Sequence, residues 1–121
     1  MAGQNLKGIQ RLKAALYNSI AGVKACWAHE EAFRQEILLS AFGIPLALYI
    51  SEDSVERILL IGSLLLLIIV ELLNSAIEAT VDRIGLEHHE LSGRAKDIGS
   101  AAVLFGTLLA ASTWLLILIQ T

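Results

Sequence analysis

Four polar side chains with hydrogen-bonding or acid–base capacity recur at helical spacing near the middle of the sequence. They are Glu71, Asn74, Glu78 and Asp82, separated by three, four and four residues. At about 3.6 residues per turn, this spacing places all four on one face of an α-helix. Glu71 follows the thirteen uncharged residues 58–70. If that segment spans a bilayer, Glu71 lies inside it or at its edge, where an ionisable group is a functional candidate by default.

The predicted depth of each side chain in the bilayer indicates which chemical role it can take. Desolvation makes a carboxylate a stronger base, so Glu71, the deepest group, is the candidate to take a proton from a lipid-soluble substrate. Glu78 lies two turns nearer the aqueous end, where its oxygens can bind a hard cation. Asn74 lies between them and can hydrogen-bond to either. A polar contact that only specifies helix assembly is the alternative, but four aligned groups favour a functional site.

A second group of acidic residues precedes this row in the sequence. It contains Glu30, Glu31 and Glu36, with Arg34 four residues after Glu30. Taken alone, it can be a solvated ion pair at the membrane surface. If it meets Glu78 in space, it completes a cation site.

A third polar group follows the row and contains Glu87, His88, His89, Glu90, Arg94, Lys96 and Asp97. Arg94 and Lys96 are predicted to contact phosphate groups. A metal site at the two histidines is disfavoured, because neighbouring positions rarely face one ion together. Asp97 is predicted to cap the helix that follows it. Asp82 is predicted to be a structural partner of Arg83 or Arg94.

The composition predicts that membrane helices carry these clusters. The chain has 121 residues, of which 55% are hydrophobic, and a mean hydropathy of +0.65. A soluble domain of this size cannot bury so much apolar surface. We predict one all-α domain with an amphipathic surface helix at about residues 6–28 and membrane spans at about 32–50, 56–84 and 98–119. Polar connections are predicted at 51–57 and 86–96.

Two features of these helices bear on packing. Apolar residues of the first helix recur at steps of three or four and are Ile9, Leu12, Leu16, Ile20, Val23 and Trp27. Such a stripe with basic residues beside it suits a membrane surface, and packing on other protein is the alternative. At the start of the third span, Gly99, Ser100, Ala101 and Ala102 are predicted to form a small-residue face that lets helices approach closely.

The distribution of Lys and Arg predicts the orientation. Five lie in the arm that ends at Arg34, three lie between residues 82 and 97, and Arg57 is alone in the 51–57 connection. The positive-inside rule then places the N-terminus and the 82–97 segment in the cytoplasm and the C-terminus on the opposite side of the membrane. The net charge of −3 argues against a nucleic-acid partner. A single cysteine, Cys26, excludes an intramolecular disulfide.

Three segments resemble the signature of a known family. The strings AFRQE (32–36), VELLNSAIEATVDRIG (70–85) and ELSGRAKDIGSAAV (90–103) are similar to those of the prokaryotic integral-membrane diacylglycerol kinases. The resemblance covers nearly the whole chain, including the three-span layout. It implies a homotrimer in the bacterial inner membrane that uses Mg²⁺ and transfers the γ-phosphate of ATP to diacylglycerol, giving phosphatidic acid.

The resemblance also implies roles for individual residues. Glu71 matches the proposed general base, and Glu30 and Glu78 match the metal ligands. Expected ATP contacts are Arg11, Asn18, Glu30, Glu78, Glu87, His88, His89, Lys96 and Asp97. Expected lipid-substrate contacts are Arg11, Ala15, Ser19, Glu31, Ala32, Phe33, Arg34, Gln35, Glu36, Glu71, Ser100 and Trp114. Asn74, Asp82 and Arg94 are expected to support the site. Asn18 and His88 depart from the family, since each stands where a tyrosine is usual.

Three other functions remain open from the sequence. Undecaprenol is the alternative lipid substrate, because related small kinases share the acidic motif. A small proton-coupled transporter can also carry one buried glutamate, but it has no need of the GRAKD segment or of Glu30. A non-catalytic scaffold has no need of ionisable groups in a span.

Overall fold

The computed structural model describes residues 5–120, and its regular structure there is entirely helical. The helices are α1 (Gly8–His29), α2 (Glu31–Ile50), α3 (Ser54–Ile84) and α4 (Glu90–Gln120). Helices α2, α3 and α4 are each long and apolar enough to cross a membrane. The all-α prediction with three potential spans is therefore confirmed.

Helix α1 meets α2 at a single extended residue, Glu30. The Glu30 N–H donates to the Cys26 carbonyl at 2.8 Å, which closes the last turn of α1. Within α1, burial is confined to Cys26. The predicted apolar stripe is largely uncovered by the rest of the chain, from Ile9 with 71% of its surface exposed to Trp27 with 43%. The link at Glu30 thus joins a loosely covered helix to the first span.

Helices α3 and α4 form the most extensive helix–helix contact between residues 5 and 120. The buried residues of α3 recur at steps of three or four and include Leu60, Leu64, Leu67, Glu71, Asn74 and Val81. Those of α4 are Gly99, Gly106, Ala110 and Ile117. This is the spacing of a coiled-coil seam, and Leu67 and Asn74 meet α4 at Gly106 and Gly99. The acidic row therefore continues the buried apolar face of α3 toward the end of that helix.

The small-residue face predicted for the start of the third span is wrong beyond its first member. Gly99 is buried against α3, but Ser100, Ala101 and Ala102 are exposed. Consecutive residues point around an α-helix, so only those that repeat every three or four can share the seam. The second close approach is at Gly106, where an added Cβ would lie 3.3 Å from Leu67 Cδ1.

Helix α2 packs on the other side of α3. Its buried residues are Phe33, Ser40, Gly43 and Ala47. Gly43 lets the two helices approach closely, because an added Cβ would lie 2.7 Å from Leu64 Cδ1 and would displace that side chain. The helix continues through Pro45, whose side chain is exposed. Helices α2 and α4 thus flank α3.

The connection between α2 and α3 is shorter than predicted and covers residues 51–53 rather than 51–57. The Asp53 side chain accepts a hydrogen bond from the Glu56 N–H at 2.9 Å and so caps α3 at its start. Arg57, one turn into α3, donates from Nε to the Ser51 carbonyl at 2.6 Å and from Nη2 to the Leu48 carbonyl at 2.8 Å. A single guanidinium therefore satisfies carbonyls at the end of α2.

Helix α4 begins at Glu90, so the prediction of a polar loop over 86–96 is wrong for its second half. The His89 Nδ1 atom accepts a hydrogen bond from the Leu91 N–H at 3.1 Å. Arg94 Nη2 lies 3.6 Å from Glu90 Oε1, one turn earlier. A side-chain acceptor at the start and an ion pair at four-residue spacing both favour helix in a polar segment. Asp97 lies inside α4 and cannot cap it.

We expect Arg57→Ala to destabilise the fold at the α2–α3 connection. Loss of the two charge-assisted hydrogen bonds should lower the free energy of unfolding by about 1–3 kcal/mol. The measurement is unfolding of the purified protein in micelles by an anionic detergent. Glu52→Ala is the matched control, because Glu52 is exposed in the same connection. Equal midpoints for the two variants would contradict this role of Arg57.

Candidate active site

The acidic row of α3 is buried at its centre and open at its end. Glu71 has 4% of its surface exposed and Asn74 has 9%, whereas Glu78 is half-buried and Asp82 is exposed. Asn74 faces α4 at Gly99, whereas Glu71 interacts electrostatically with Glu30 in the α1–α2 link and with Glu36 on α2. Protection of the side chains therefore decreases along the row toward the end of α3.

Asn74 links Glu78 to α4. Its Nδ2 atom donates to Glu78 Oε1 at 3.3 Å. Its Oδ1 atom is buried and has no hydrogen-bond partner within residues 5–120. That oxygen faces Gly99, where an added Cβ would overlap it. The carboxamide is thus held between a carboxylate on its own helix and the backbone of the next.

Two carboxylates from outside α3 approach Glu71. Glu30, in the link between α1 and α2, interacts with it electrostatically, as does Glu78. Glu36, on α2, does the same; its Oε1 atom is buried and makes no hydrogen bond to the described part of the chain. We call Glu30, Glu36, Glu71 and Glu78 the acidic cluster. Its members come from a link and two helices, so it exists only in the folded chain.

The open end of the row pairs with α4. Lys96 Nζ donates to Asp82 Oδ1 at 2.7 Å, and both side chains are partly exposed. The prediction that Asp82 pairs with Arg83 or Arg94 is therefore wrong. Arg94 lies near Glu90 instead, because α4 begins early enough to place the two one turn apart. Lys96 keeps N–H donors beyond the one used for Asp82, since an ammonium group has three.

A cleft of about 690 Å³ separates α1 from α3 beside the acidic cluster. Its lining includes Ser19, His29 and Glu30 on one side and Ser75 on the other. At its base, Cys26 Sγ donates to Ser75 Oγ at 3.4 Å. Burial of Cys26 raises the pKa of its thiol, and the Ser75 hydrogen bond partly opposes this. The cleft has apolar walls with a few polar groups, as small-molecule sites usually do.

Most of the other predicted nucleotide contacts lie on the surface. Arg11, Asn18, Glu87, His88, His89 and Asp97 are exposed. Arg11 and Asn18 lie on α1, whereas Glu87, His88 and His89 lie in the 85–89 connection. The single chain leaves these groups open, and their nucleotide contacts stay a prediction.

The predicted lipid contacts of α2 lie in different environments. Glu31, Ala32 and Gln35 are exposed, but Phe33 has 1% of its surface exposed and belongs to the core. Arg34 donates from Nη1 to the Trp27 carbonyl at 2.6 Å. Its guanidinium thus supports the end of α1 and, among residues 5–120, forms no ion pair with Glu30.

The remaining predicted lipid contacts lie on α1 and α4. Ala15 and Ser19 are joined by a hydrogen bond from Ser19 Oγ to the Ala15 carbonyl at 2.8 Å. Ser100 is exposed. Trp114 donates from Nε1 to the Leu60 carbonyl at 3.1 Å. It also lines an apolar cavity of about 400 Å³ between α2, α3 and α4, one end of which is formed by Leu67 and Leu39.

The donor set of the acidic cluster fits a hard divalent cation. Glu30 and Glu78 supply carboxylate oxygens, which Mg²⁺ prefers. Among residues 5–120, no group of three or more His, Cys, Asp or Glu side chains is close enough to enclose an ion. Mg²⁺ is usually held by one or two carboxylates together with water and substrate phosphates. Glu30, which lines the cleft, and the half-buried Glu78 therefore suit a cation that arrives with a nucleotide.

The contact between Asn74 and Gly99 was missed by reasoning from the sequence. A glycine in an apolar helix predicts close approach but does not tell which side chain approaches. Which buried positions of α3 and α4 meet depends on the register of the two helices, so the sequence alone does not pair Asn74 with Gly99. The pairing between Cys26 and Ser75 has no comparable sequence signal.

Comparison with known proteins gives one consistent result. The sequence profile described as prokaryotic diacylglycerol kinase matches residues 17–118. A protein named diacylglycerol kinase from Escherichia coli is 50% identical over 114 residues, which cover 94% of this chain and 93% of that protein. One from Pseudomonas aeruginosa is 48% identical over 112 residues, covering 93% and 91%. One from Haemophilus influenzae is 46% identical over 107 residues, covering 88% and 91%.

We expect Cys26 to react slowly with iodoacetamide in the folded protein. Its raised pKa reduces the thiolate fraction near pH 8, and its burial blocks access. The rate should keep rising with pH after that of an exposed cysteine has levelled off. Ala28→Cys combined with Cys26→Ala is the matched control, because Ala28 is exposed on the same helix. Equal rates at pH 8, measured by mass spectrometry, would contradict the buried position.

Proposed function

The chain belongs to the prokaryotic diacylglycerol kinase family, and we propose that it transfers the γ-phosphate of ATP to the hydroxyl of diacylglycerol. The products are phosphatidic acid and ADP. The observation that carries the proposal is the acidic cluster, which lies toward one end of three potential membrane spans and whose member Glu30 lines the α1–α3 cleft. A site at the bilayer boundary lets water-soluble ATP meet a lipid-soluble alcohol.

We propose Glu71 as the general base. It is the most buried member of the acidic cluster. Water therefore competes least with a substrate hydroxyl for hydrogen bonding to this carboxylate. The Glu71 carboxylate takes the hydroxyl proton while the hydroxyl oxygen bonds to the γ-phosphorus and the bond to the ADP oxygen breaks. Phosphoryl transfer depends mainly on alignment and charge neutralisation. The burial of Glu71 within the packed face of α3 supports this alignment.

We assign the cation to Glu30 and Glu78. Bound there with ATP, Mg²⁺ would neutralise phosphate charge. Glu78 is oriented by Asn74, and Glu30 is held by the hydrogen bond that ends α1. Lys96, placed beside the row by Asp82, has free donors for phosphate oxygens, and Arg94 is a second candidate. The other proposed nucleotide contacts are Arg11, Asn18, Glu87, His88, His89 and Asp97.

The lipid would approach from the side of α1 and α2. Ser19 lines the cleft, and Glu36 brings a buried carboxylate oxygen without a partner in the described chain. That oxygen could accept a hydrogen bond from a hydroxyl of the glycerol backbone or from a protonated carboxyl group of the acidic cluster. The other proposed lipid contacts are Arg11, Ala15, Glu31, Ala32, Phe33, Arg34, Gln35, Ser100 and Trp114. Of these, Phe33 is enclosed by the chain, so it would act through packing.

We further propose a homotrimer in the bacterial inner membrane, with α1 on the cytoplasmic surface. The exposed stripe of α1 supports a lipid-facing position. The bias of Lys and Arg supports a cytoplasmic N-terminus and 82–97 segment, with the C-terminus in the periplasm. A further face of α3, covered by neither α2 nor α4, presents exposed Leu65, Ile69 and Leu73. Neighbouring subunits packed there would close a site that one chain leaves open.

Lipid phosphorylation tests the function directly. Protein in detergent micelles is given labelled ATP and Mg²⁺ with either diacylglycerol or undecaprenol, and the lipid products are separated. We expect label in phosphatidic acid and much less in the polyprenol. A preference for undecaprenol would change the substrate assignment. Absence of label from both lipids would remove the kinase proposal.

We expect Glu71→Gln to reduce turnover by at least about 100-fold, the lower part of the range for a general base. Binding of ATP, measured by isothermal titration, should change little, because the amide keeps the shape and the seam position. Glu52→Gln is the control, since Glu52 is exposed in the α2–α3 connection and should retain most activity. Turnover close to wild type in Glu71→Gln would exclude Glu71 as the base.

A further inference from the structure

The Asn74 carboxamide has a defined orientation, with its nitrogen toward Glu78 and its oxygen toward Gly99. An ionised carboxylate accepts hydrogen bonds and cannot donate them. The Asn74 amide must therefore turn its N–H groups toward Glu78, as the 3.3 Å bond from Nδ2 to Oε1 shows. The opposite atom, Oδ1, is then directed at α4. Glu78 and Gly99 lie on opposite sides of one planar group.

Only a glycine can receive that oxygen at position 99. A Cβ added there would overlap Asn74 Oδ1, so the oxygen lies where one of the two glycine α-hydrogens points. A Cα–H group directed at an oxygen forms a weak hydrogen bond. Within residues 5–120, Oδ1 has no N–H or O–H donor. The Cα–H group of Gly99 is therefore the weak donor that lies against Asn74 Oδ1.

We propose that Gly99 is a positioning residue, whose bare backbone seats the Asn74 carboxamide so that Asn74 holds the Glu78 carboxylate toward the nucleotide cation. The inference rests on the proposed role of Glu78 as a metal ligand. Gly99 touches neither substrate nor cation and acts through Asn74. The order of contacts is Gly99, Asn74 and Glu78, across the α3–α4 seam.

Because Asn74 and Gly99 are buried, this series of contacts is sensitive to any displacement of the Asn74 carboxamide. Asn74 has 9% of its surface exposed and Gly99 is buried, so a displaced carboxamide has no open space nearby. It must rotate or separate the helices. Either movement removes the donor from Glu78, and a metal ligand that loses its orienting hydrogen bond binds more weakly.

The chain offers a matched control at Gly106. It lies two turns further along α4, on the same face, and also packs against α3. An added Cβ there would meet Leu67 Cδ1 at 3.3 Å, an apolar and movable atom. Gly106→Ala therefore imposes crowding on the seam without touching a polar group. A purely structural role of Gly99 predicts the same behaviour for both variants.

The test compares Gly99→Ala and Gly106→Ala in two measurements. The first is half-saturation by Mg²⁺ in the lipid kinase assay, which should rise roughly 10- to 100-fold in Gly99→Ala, as is typical when an orienting partner of a metal ligand is lost. The second is the NMR signal of the Asn74 side-chain amide, identified by its absence in Asn74→Ala. Its position should change in Gly99→Ala and stay near that of wild type in Gly106→Ala.

A double-mutant cycle and one reference variant decide the interpretation. If Gly99 acts through Asn74, adding Gly99→Ala to Asn74→Ala should raise the Mg²⁺ requirement no further. Additive losses, equal effects in Gly106→Ala, or an unmoved Asn74 amide would each overturn the inference. Glu78→Gln separates the two proposals. If it leaves the Mg²⁺ requirement unchanged, the ligand role of Glu78 is wrong, and the amide signal alone decides whether Gly99 seats Asn74.

Discussion

The fold depends on a single packing constraint, the buried face of α3 between α2 and α4, which must accept a carboxylate and a carboxamide at positions that are apolar elsewhere. Leu60, Leu64 and Leu67 fill this face along most of its length. Glu71 and Asn74 continue the same repeat. Buried polar groups are costly unless they are paired. The seam accommodates the amide by pairing it with Glu78 and by presenting a glycine, Gly99, on the opposite helix.

The connections then bring the other carboxylates to this point. The one-residue link at Glu30 turns the chain directly from α1 into α2, and Glu36 follows within the first turns of α2. Both reach Glu71 electrostatically. At the other end of the spans, Arg57 joins the end of α2 to the start of α3. The two ends fix how α2 lies along α3, so the acidic cluster is positioned by contacts remote from it.

The same architecture explains why the site is open. Helix α1 touches the remainder of the chain sparsely and leaves a cleft beside Cys26 and Ser75. An enclosed site would exclude either ATP or the lipid, because the two substrates arrive from different solvents. One chain leaves apolar faces exposed on α1 and α3. Such exposed faces are expected of a site that lies at the boundary between membrane and water. Lipid and the proposed neighbouring subunits would cover them.

The sequence by itself determined the helices and the polar row. Long apolar runs leave few alternatives to membrane helices, and a spacing of three and four places Glu71, Asn74 and Glu78 on one face wherever the helix packs. Local signals misplaced the start of α4 and the partner of Asp82, because a cap at His89 and the approach of Lys96 outweigh the polarity of residues 90–97. The meeting of Glu36 with Glu71, and of Asn74 with Gly99, was decided by the tertiary structure alone. Helix register across a seam depends on the simultaneous fit of many side chains, and no local pattern encodes it.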